Sequence, residues 1–302
     1  MNTHTVRVNL LLLLTAIIWG FAFVAQRIGM EHVGPFTFNG VRFALGGLSL
    51  VPLLYINRKK SEEPSRTGLM TLLGGGFLAG CALFMGASLQ QIGIVYTTAG
   101  KAGFITGLYV VLVPILGLLW KQRTSLGTWI GAFCAVIGMY LLSITEQFTI
   151  SHGDLLVLIG ALFWAAHVQL IGWLTRRIDA LNIAFLQFMT CSLFSLITAY
   201  FTEVITGQGL RDAILPICYG GLLSVGVAYT LQVVAQRHAH AAHAAIILSL
   251  EAVFAAVGGW LILGETLSWR GMVGCALMLT GMLISQCNLT KKRLQAFLSF
   301  QL

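Results

Sequence analysis

Charge is what this sequence has least of. Only 9% of its 302 residues are Asp, Glu, Lys or Arg, against 57% that are hydrophobic. Soluble domains carry about 25% charged residues, so this chain has too few polar side chains to cover a surface facing water. Long polar segments are missing too. The most polar connection is Asn57–Arg66, and no stretch is long enough and polar enough for a soluble domain. The six cysteines, Cys81, Cys134, Cys191, Cys218, Cys275 and Cys287, form no C-x-x-C pair, which removes a disulfide framework and a zinc site. Gly74-Gly75-Gly76 is not followed by GK[ST], so ATP is not held by a phosphate-binding loop. There is no H-E-x-x-H, and Asp154, Asp179 and Asp212 read as lying outside the apolar runs. An intramembrane enzyme therefore lacks its constellation. No cofactor motif and no metal site are indicated, and no filter-like motif suggests a channel.

What the chain does have is apolar runs of membrane length. A spanning helix needs about 20 apolar residues. Charge and turn residues divide the sequence into ten such runs, at about Val8–Arg27, Phe36–Ile56, Gly68–Gln90, Thr97–Trp120, Gly127–Ser143, Leu155–Trp173, Ile183–Thr202, Ala213–Val234, Ala241–Leu263 and Gly271–Cys287. The runs are continuous, unlike the ten-residue alternating strands of a membrane barrel. The first resembles a signal peptide, but no cleavage site follows it and it reads as the first span. The fold class is all-α, polytopic, with the lipid bilayer as solvent.

The net charge of +8 does not point to nucleic acid, because the positive residues sit in short clusters between spans. Arg7, Arg58, Lys59, Lys60, Arg66, Lys121, Arg123, Arg176, Arg177, Arg237, Lys291, Lys292 and Arg293 fall on one side. Arg27, Arg211 and Arg270 fall on the other, and Arg42 and Lys101 lie within spans. Thirteen against three places both termini in the cytoplasm, since positive loops stay inside. A multi-pass protein of the cell membrane is expected.

The chain is also written twice. "AIIWGFAF" around Trp19 resembles "ALFWAAHV" around Trp164, 145 residues on (164 − 19). At that offset Arg42 faces Gln187. "SLQQ" at Ser88 matches "TLQV" at Thr230, offset 142, and at that offset Lys101 faces His243 and Tyr109 faces Glu251. "GMYLLS" from Gly138 matches "GMLISQ" from Gly281, offset 143. Four matches in order within three residues of one offset make a repeat, divided as 1–146 and 147–302. Five spans per copy is an odd number, so the second copy enters the membrane in the opposite sense. Inverted repeats belong to transporters, whose substrate site lies at the midplane between the copies.

Two five-span repeats in 302 residues, the Trp19-Gly20 pair, Arg42 in the second span and "LSLEAVFAAVGGWLILGE" from Leu248 to Glu265 resemble the EamA-type exporters of the drug/metabolite transporter superfamily. Ala252 stands where that family commonly has proline. The resemblance implies ten helices around a central cavity, alternating access and export of small metabolites.

Ionisable groups inside a membrane cost about 2.5–3.5 kcal/mol each on insertion scales, which makes them the first candidates. Arg42 either binds a substrate carboxylate, as guanidinium groups do in bidentate fashion, or fixes packing. Glu251, near the midplane, either exchanges a proton during transport, contacts substrate, or statically partners Arg42 or a helix N–H. Lys101 either snorkels to the interface or forms, with His243, paired gates at opposite faces. Trp19, Trp164, Tyr109 and Gln187, with Gln90 and Gln232, either line the cavity or pack. His167 reads as an isolated packing residue. Gly131 with Gly138 and Gly274 with Gly281 repeat at seven-residue spacing, a notched face for packing or for a homodimer through spans five and ten. The expected activity is secondary transport of a small polar or amphipathic molecule, amino acids first, with protons as a coupling ion. Multidrug efflux and uptake or exchange are alternatives on the same fold, and a non-transporting scaffold or sensor is the alternative of another class.

Overall fold

A computed structural model of the chain describes the backbone of residues 3–60, 68–122, 124–143, 151–266 and 268–298, and the side chains of 5–57, 68–122, 124–141, 151–266 and 268–285. Among the described residues ten long helices carry it, with a short helix, Gly207–Asp212, between the seventh and the eighth. They are α1 (Thr3–Gly29), α2 (Pro35–Lys60), α3 (Leu69–Ile94), α4 (Ala99–Leu119), α5 (Leu126–Ser143), α6 (His152–Leu174), α7 (Ala180–Thr202), α8 (Ile214–Gln236), α9 (Ala241–Leu263) and α10 (Trp269–Leu298). Eight contain an apolar stretch long enough to cross a membrane; the apolar parts of α5 and α10, Leu126–Leu141 and Trp269–Ser285, are shorter. No strand occurs among the described residues. Of the basic residues from which the orientation is expected, Arg58, Lys59, Lys60, Arg66, Arg123, Lys291, Lys292 and Arg293 lie outside the described side chains, as does Cys287.

The helices start where capping residues stand. Thr98 accepts from the Lys101 backbone N–H at the start of α4, and Asp179 accepts from the N–H groups of Leu181 and Asn182 at the start of α7. Ser151 and Asp154 form a reciprocal capping box at the start of α6, satisfying two otherwise orphaned donors. Asp154 thus belongs to the first turn of α6 and is buried, not outside the span as the sequence reading has it. Gly264 ends α9 at φ +67°, a conformation that only a residue without Cβ adopts freely.

The packing repeats like the sequence. α1 packs on α9 as α6 packs on α4, α2 on α8 as α7 on α3, and α3 on α6 as α8 on α1. α2 meets α7, α4 meets α9 and α5 meets α10, each pair being the two copies of one helix. This is the pattern of a two-fold axis relating the halves. Side-chain contacts define two faces. The starts of α2, α4 and α6 and the ends of α7 and α9 share one, joined by Glu203, Asp154 and Glu265. The starts of α1 and α9 share the other, joined by Asn9 and His243.

Three helices are irregular. α4 breaks at Leu108 and α9 at Ser249–Leu250, and Leu108 and Leu250 are equivalent at offset 142 (250 − 108). The α9 break forms although Ala252 replaces proline, so proline is not its cause. In α8, Tyr219–Tyr229 winds wider, as a π-helix. Carbonyls of this segment face α1: Trp19 Nε1–H donates to Ser224 O at 3.3 Å, and Thr15 Oγ1, whose nearer acceptor is Leu11 O at 2.9 Å, lies 3.3 Å from Ala228 O.

The seven-spaced glycines are joined to each other within the chain. A side chain on Gly131 would meet the Gly281 carbonyl, and one on Gly138 the Gly274 carbonyl and, at 2.7 Å, Met278 Cγ. Without a hydrophobic drive between helices in lipid, such close approach is what holds them together. Gly138→Val is expected to cost about 1–3 kcal/mol by overpacking, seen as a lower melting temperature of the detergent-solubilised protein. Gly74→Ala, inside α3 at a position with open space around it, is expected not to lower the melting temperature and to raise it slightly, since alanine is favoured over glycine in a helix by about 1 kcal/mol.

Candidate functional site

The breaks of α4 and α9 lie beside one cavity between the repeats. Its walls come from α1, α2, α3, α4, α6, α8 and α9 and include Trp19, Gln26, Arg42, Gln90, Tyr109, Trp164, Tyr229, Gln232 and Glu251. Its volume is about 30 Å³, enough for one or two water molecules. A cavity of this volume does not hold a metabolite until side chains or helices move.

Arg42 is 2% exposed. Its Nε–H donates to Asn39 Oδ1 at 3.0 Å, one turn earlier on α2. Its guanidinium carbon lies 5.4 Å from the centre of the Phe38 ring and 5.0 Å from that of Phe43, within range of cation–π attraction. No carboxylate forms an ion pair with it among the described residues, so the pairing of Arg42 with Glu251 weighed from sequence does not form. A buried charge without a counter-ion is among the costlier things a protein retains, and this one borders the cavity.

Glu251 opens the second half of α9, directly after the break. It is 4% exposed. Tyr109 opens the second half of α4, directly after the equivalent break. The two side chains lie beside each other, yet neither Tyr109 Oη nor Glu251 Oε1 has a partner in hydrogen-bond geometry. Gly20 explains how α9 comes so near. A Cβ there would lie 2.8 Å from both the Glu251 carbonyl oxygen and the Ala255 nitrogen. The Trp19-Gly20 pair thus turns a ring into the cavity with one residue and admits α9 with the next.

Rings close the remaining sides. Tyr229 is their hub, 4.4 Å from Trp19 and 6.1 Å from Trp164 between ring centres. Trp164 is oriented by a bond from Nε1–H to Gln90 Oε1 at 2.9 Å, and Gln90 Nε2–H donates in turn to Gln26 Oε1 at 3.0 Å. Gln232 Oε1 is buried without a partner. The site thus offers one cation, one carboxyl, unsatisfied amide and phenol groups and a stacked aromatic wall.

Of the residues singled out by sequence, Arg42, Glu251, Trp19, Trp164 and Tyr109 come together here. Gln187 lies behind them. Its Oε1 is 2.8 Å from His167 Nε2, and the His167 ring meets Trp164 and Tyr229 edge-on, so His167 is tied into the wall rather than isolated. Lys101 and His243 are not in the cavity. Lys101 Nζ donates to Asp154 Oδ2 at 2.6 Å, and His243 Nε2 lies 3.0 Å from Asn9 Oδ1. Lys101 is therefore ion-paired within the helix packing, its side chain 26% exposed. Sequence reasoning missed Tyr229. Its repeat equivalent is Ala87 (229 − 142), so the alignment of the halves gave no signal.

The EamA-like transporter family model matches the chain twice, over residues 6–144 and 151–286. A protein described as an uncharacterized transporter of Archaeoglobus fulgidus is 34% identical over 90% of this chain and 83% of its own length. The uncharacterized transporter YoaV of Bacillus subtilis is 22% identical over 95% of this chain and 99% of its own. A crystal structure shares the fold with a TM-score of 0.76 at 15% identity, covering 93% of this chain and 98% of that one. Repeated five-helix packing about a central cavity, two matches to one family model and a relative of this identity agree: the chain is a multi-pass membrane protein and belongs to the EamA-like transporter family.

Proposed function

We propose that this chain is a secondary active transporter that exports a small amphipathic metabolite carrying a carboxylate, amino acids first among them, by alternating access across the cell membrane with both termini cytoplasmic. One observation carries the reading. The cavity between the repeats is lined by a buried guanidinium and a buried carboxyl that form no ion pair with each other, and by aromatic rings. A zwitterion with an apolar body complements each element. Its carboxylate meets Arg42, its ammonium meets Glu251, and its body lies against Trp19, Trp164 and Tyr229. The orientation rests on the distribution of Lys and Arg. The absence of an ATP-binding loop from the sequence makes a gradient the source of energy, and Glu251 is the group through which a proton is exchanged against substrate. No cofactor enters this scheme.

The ring cluster favours one other reading, efflux of lipophilic aromatic compounds. Such cargo would stack on the rings and need no carboxylate contact.

Two measurements test the proposal. Extracellular metabolites of cells overexpressing the chain should show one carboxylate compound enriched outside. Arg42→Ala at equal membrane abundance should raise its half-saturation concentration about 10–100-fold, the loss of a charged hydrogen-bonding contact of about 1.5–3 kcal/mol. Unchanged saturation with Arg42→Ala would favour the lipophilic reading. In proteoliposomes, Glu251→Gln should abolish the dependence of transport on an imposed pH gradient. If that dependence survives in the variant, proton coupling through Glu251 is wrong.

A further inference from the structure

Lys101 and His243 lie toward opposite faces, and each bonds a residue of the other repeat. The Lys101–Asp154 ion pair joins α4 to α6, and the His243–Asn9 hydrogen bond joins α9 to α1. Under the repeat these are one contact made twice. Asn9 and Asp154 are 145 apart (154 − 9), as Trp19 and Trp164 are, and Lys101 and His243 are 142 apart (243 − 101). Asp154, Asn9 and His243 are all buried. Each of Lys101 and His243 also stands seven residues before a helix break, at Leu108 (108 − 101) and Leu250 (250 − 243). Each bridge thus restrains a half-helix about two turns from the point where it can pivot, and the cavity lies beside the pivots.

We propose that Lys101–Asp154 and His243–Asn9 are the two latches of the transport cycle, so that releasing one opens the cavity to its own face while the other holds the opposite face shut. These are positioning residues: they touch each other, not the cargo. Both latches are made in this structure.

On the Lys101 face two more carboxylates of the second repeat cross the seam. Glu265 accepts from Ala99 N at 3.0 Å and Gly100 N at 3.2 Å, and Glu203 accepts from Phe36 N and Thr37 N at 2.8 Å each. On the His243 face the start of α9 has no side-chain cap. Gln122, just after α4, crosses the seam here by donating from Nε2 to Gln169 Oε1 at 3.0 Å. A cavity of about 380 Å³ lies beside His240 there.

The proposal rests on the alternating-access reading but not on the identity of the cargo. The test is sided alkylation. A single cysteine is placed at Ala22, which lines the cavity and is buried, in a full-length chain whose own cysteines are replaced. It is labelled with a membrane-impermeant maleimide in right-side-out and inverted vesicles. Lys101→Met should raise the labelling rate about tenfold, the effect of shifting a closed–open population, from the Lys101 face alone. Asn9→Ala should do so from the His243 face alone, and Lys101→Arg should keep the parent rate. Asp154→Asn, a second route to the same loss, should label as Lys101→Met does. Labelling of Lys101→Met and Asn9→Ala from the same face, from both faces equally or from neither overturns the latches, as does opening by Lys101→Arg. Failure of the carboxylate or proton reading leaves this labelling untouched.

Discussion

A bilayer core offers a backbone no hydrogen-bond partner, so every N–H and C=O there must be satisfied by the protein itself. The rest of this structure depends on that constraint. It makes the ten elements helical. It also makes each interruption informative, because freed groups are tolerated only where protein or a cavity receives them. The interruptions are few and meet each other. α4 and α9 break at equivalent places beside one cavity, and the wide turns of α8 face α1 with carbonyls, one of which accepts from Trp19. Helix starts on the Lys101 face are completed by carboxylates from the opposite repeat. Helix ends therefore serve as joints between the halves.

Close approach makes those joints possible. Glycine at Gly20 brings α9 against α1 at Glu251, and the facing glycines of α5 and α10 let those two helices touch backbone to backbone. Within this frame two ionisable groups are held where they are most expensive. Arg42 is offset by two rings and one amide, and Glu251 keeps an oxygen without a partner. Had they been paired, the cavity would be electrically satisfied and inert toward a charged ligand. Kept apart, they leave the cavity lined by one buried guanidinium and one buried carboxyl, which is what the proposed zwitterionic cargo would answer.

Much of this was legible in the order of residues, for definable reasons. Span length and number follow from apolar runs, because the thickness of the hydrocarbon layer is fixed. The repeat was legible because its copies still share residues at structurally equal places: Trp19 with Trp164, and Tyr109 with Glu251, each pair meeting at the cavity. Asp154 was misplaced because a helix boundary is set by capping geometry, and a charge in a first turn looks like a loop residue until its capping partner and Lys101 are seen. Tyr229 was invisible because it has no counterpart in the first half, and the ring cluster it centres is assembled from α1, α2, α6 and α8.

The sequence alone determined that the chain lives in lipid, crosses it ten times and does so as two copies of opposite sense. Those properties depend on sums over many residues and on short-range periodicity. Tertiary structure alone decided that Arg42 and Glu251 stay unpaired, that α9 breaks without proline, and that Lys101 meets Asp154 while His243 meets Asn9. Each of those is a contact between groups far apart in the chain, made or missed by an ångström of helix placement, and no local pattern encodes a distance of that kind.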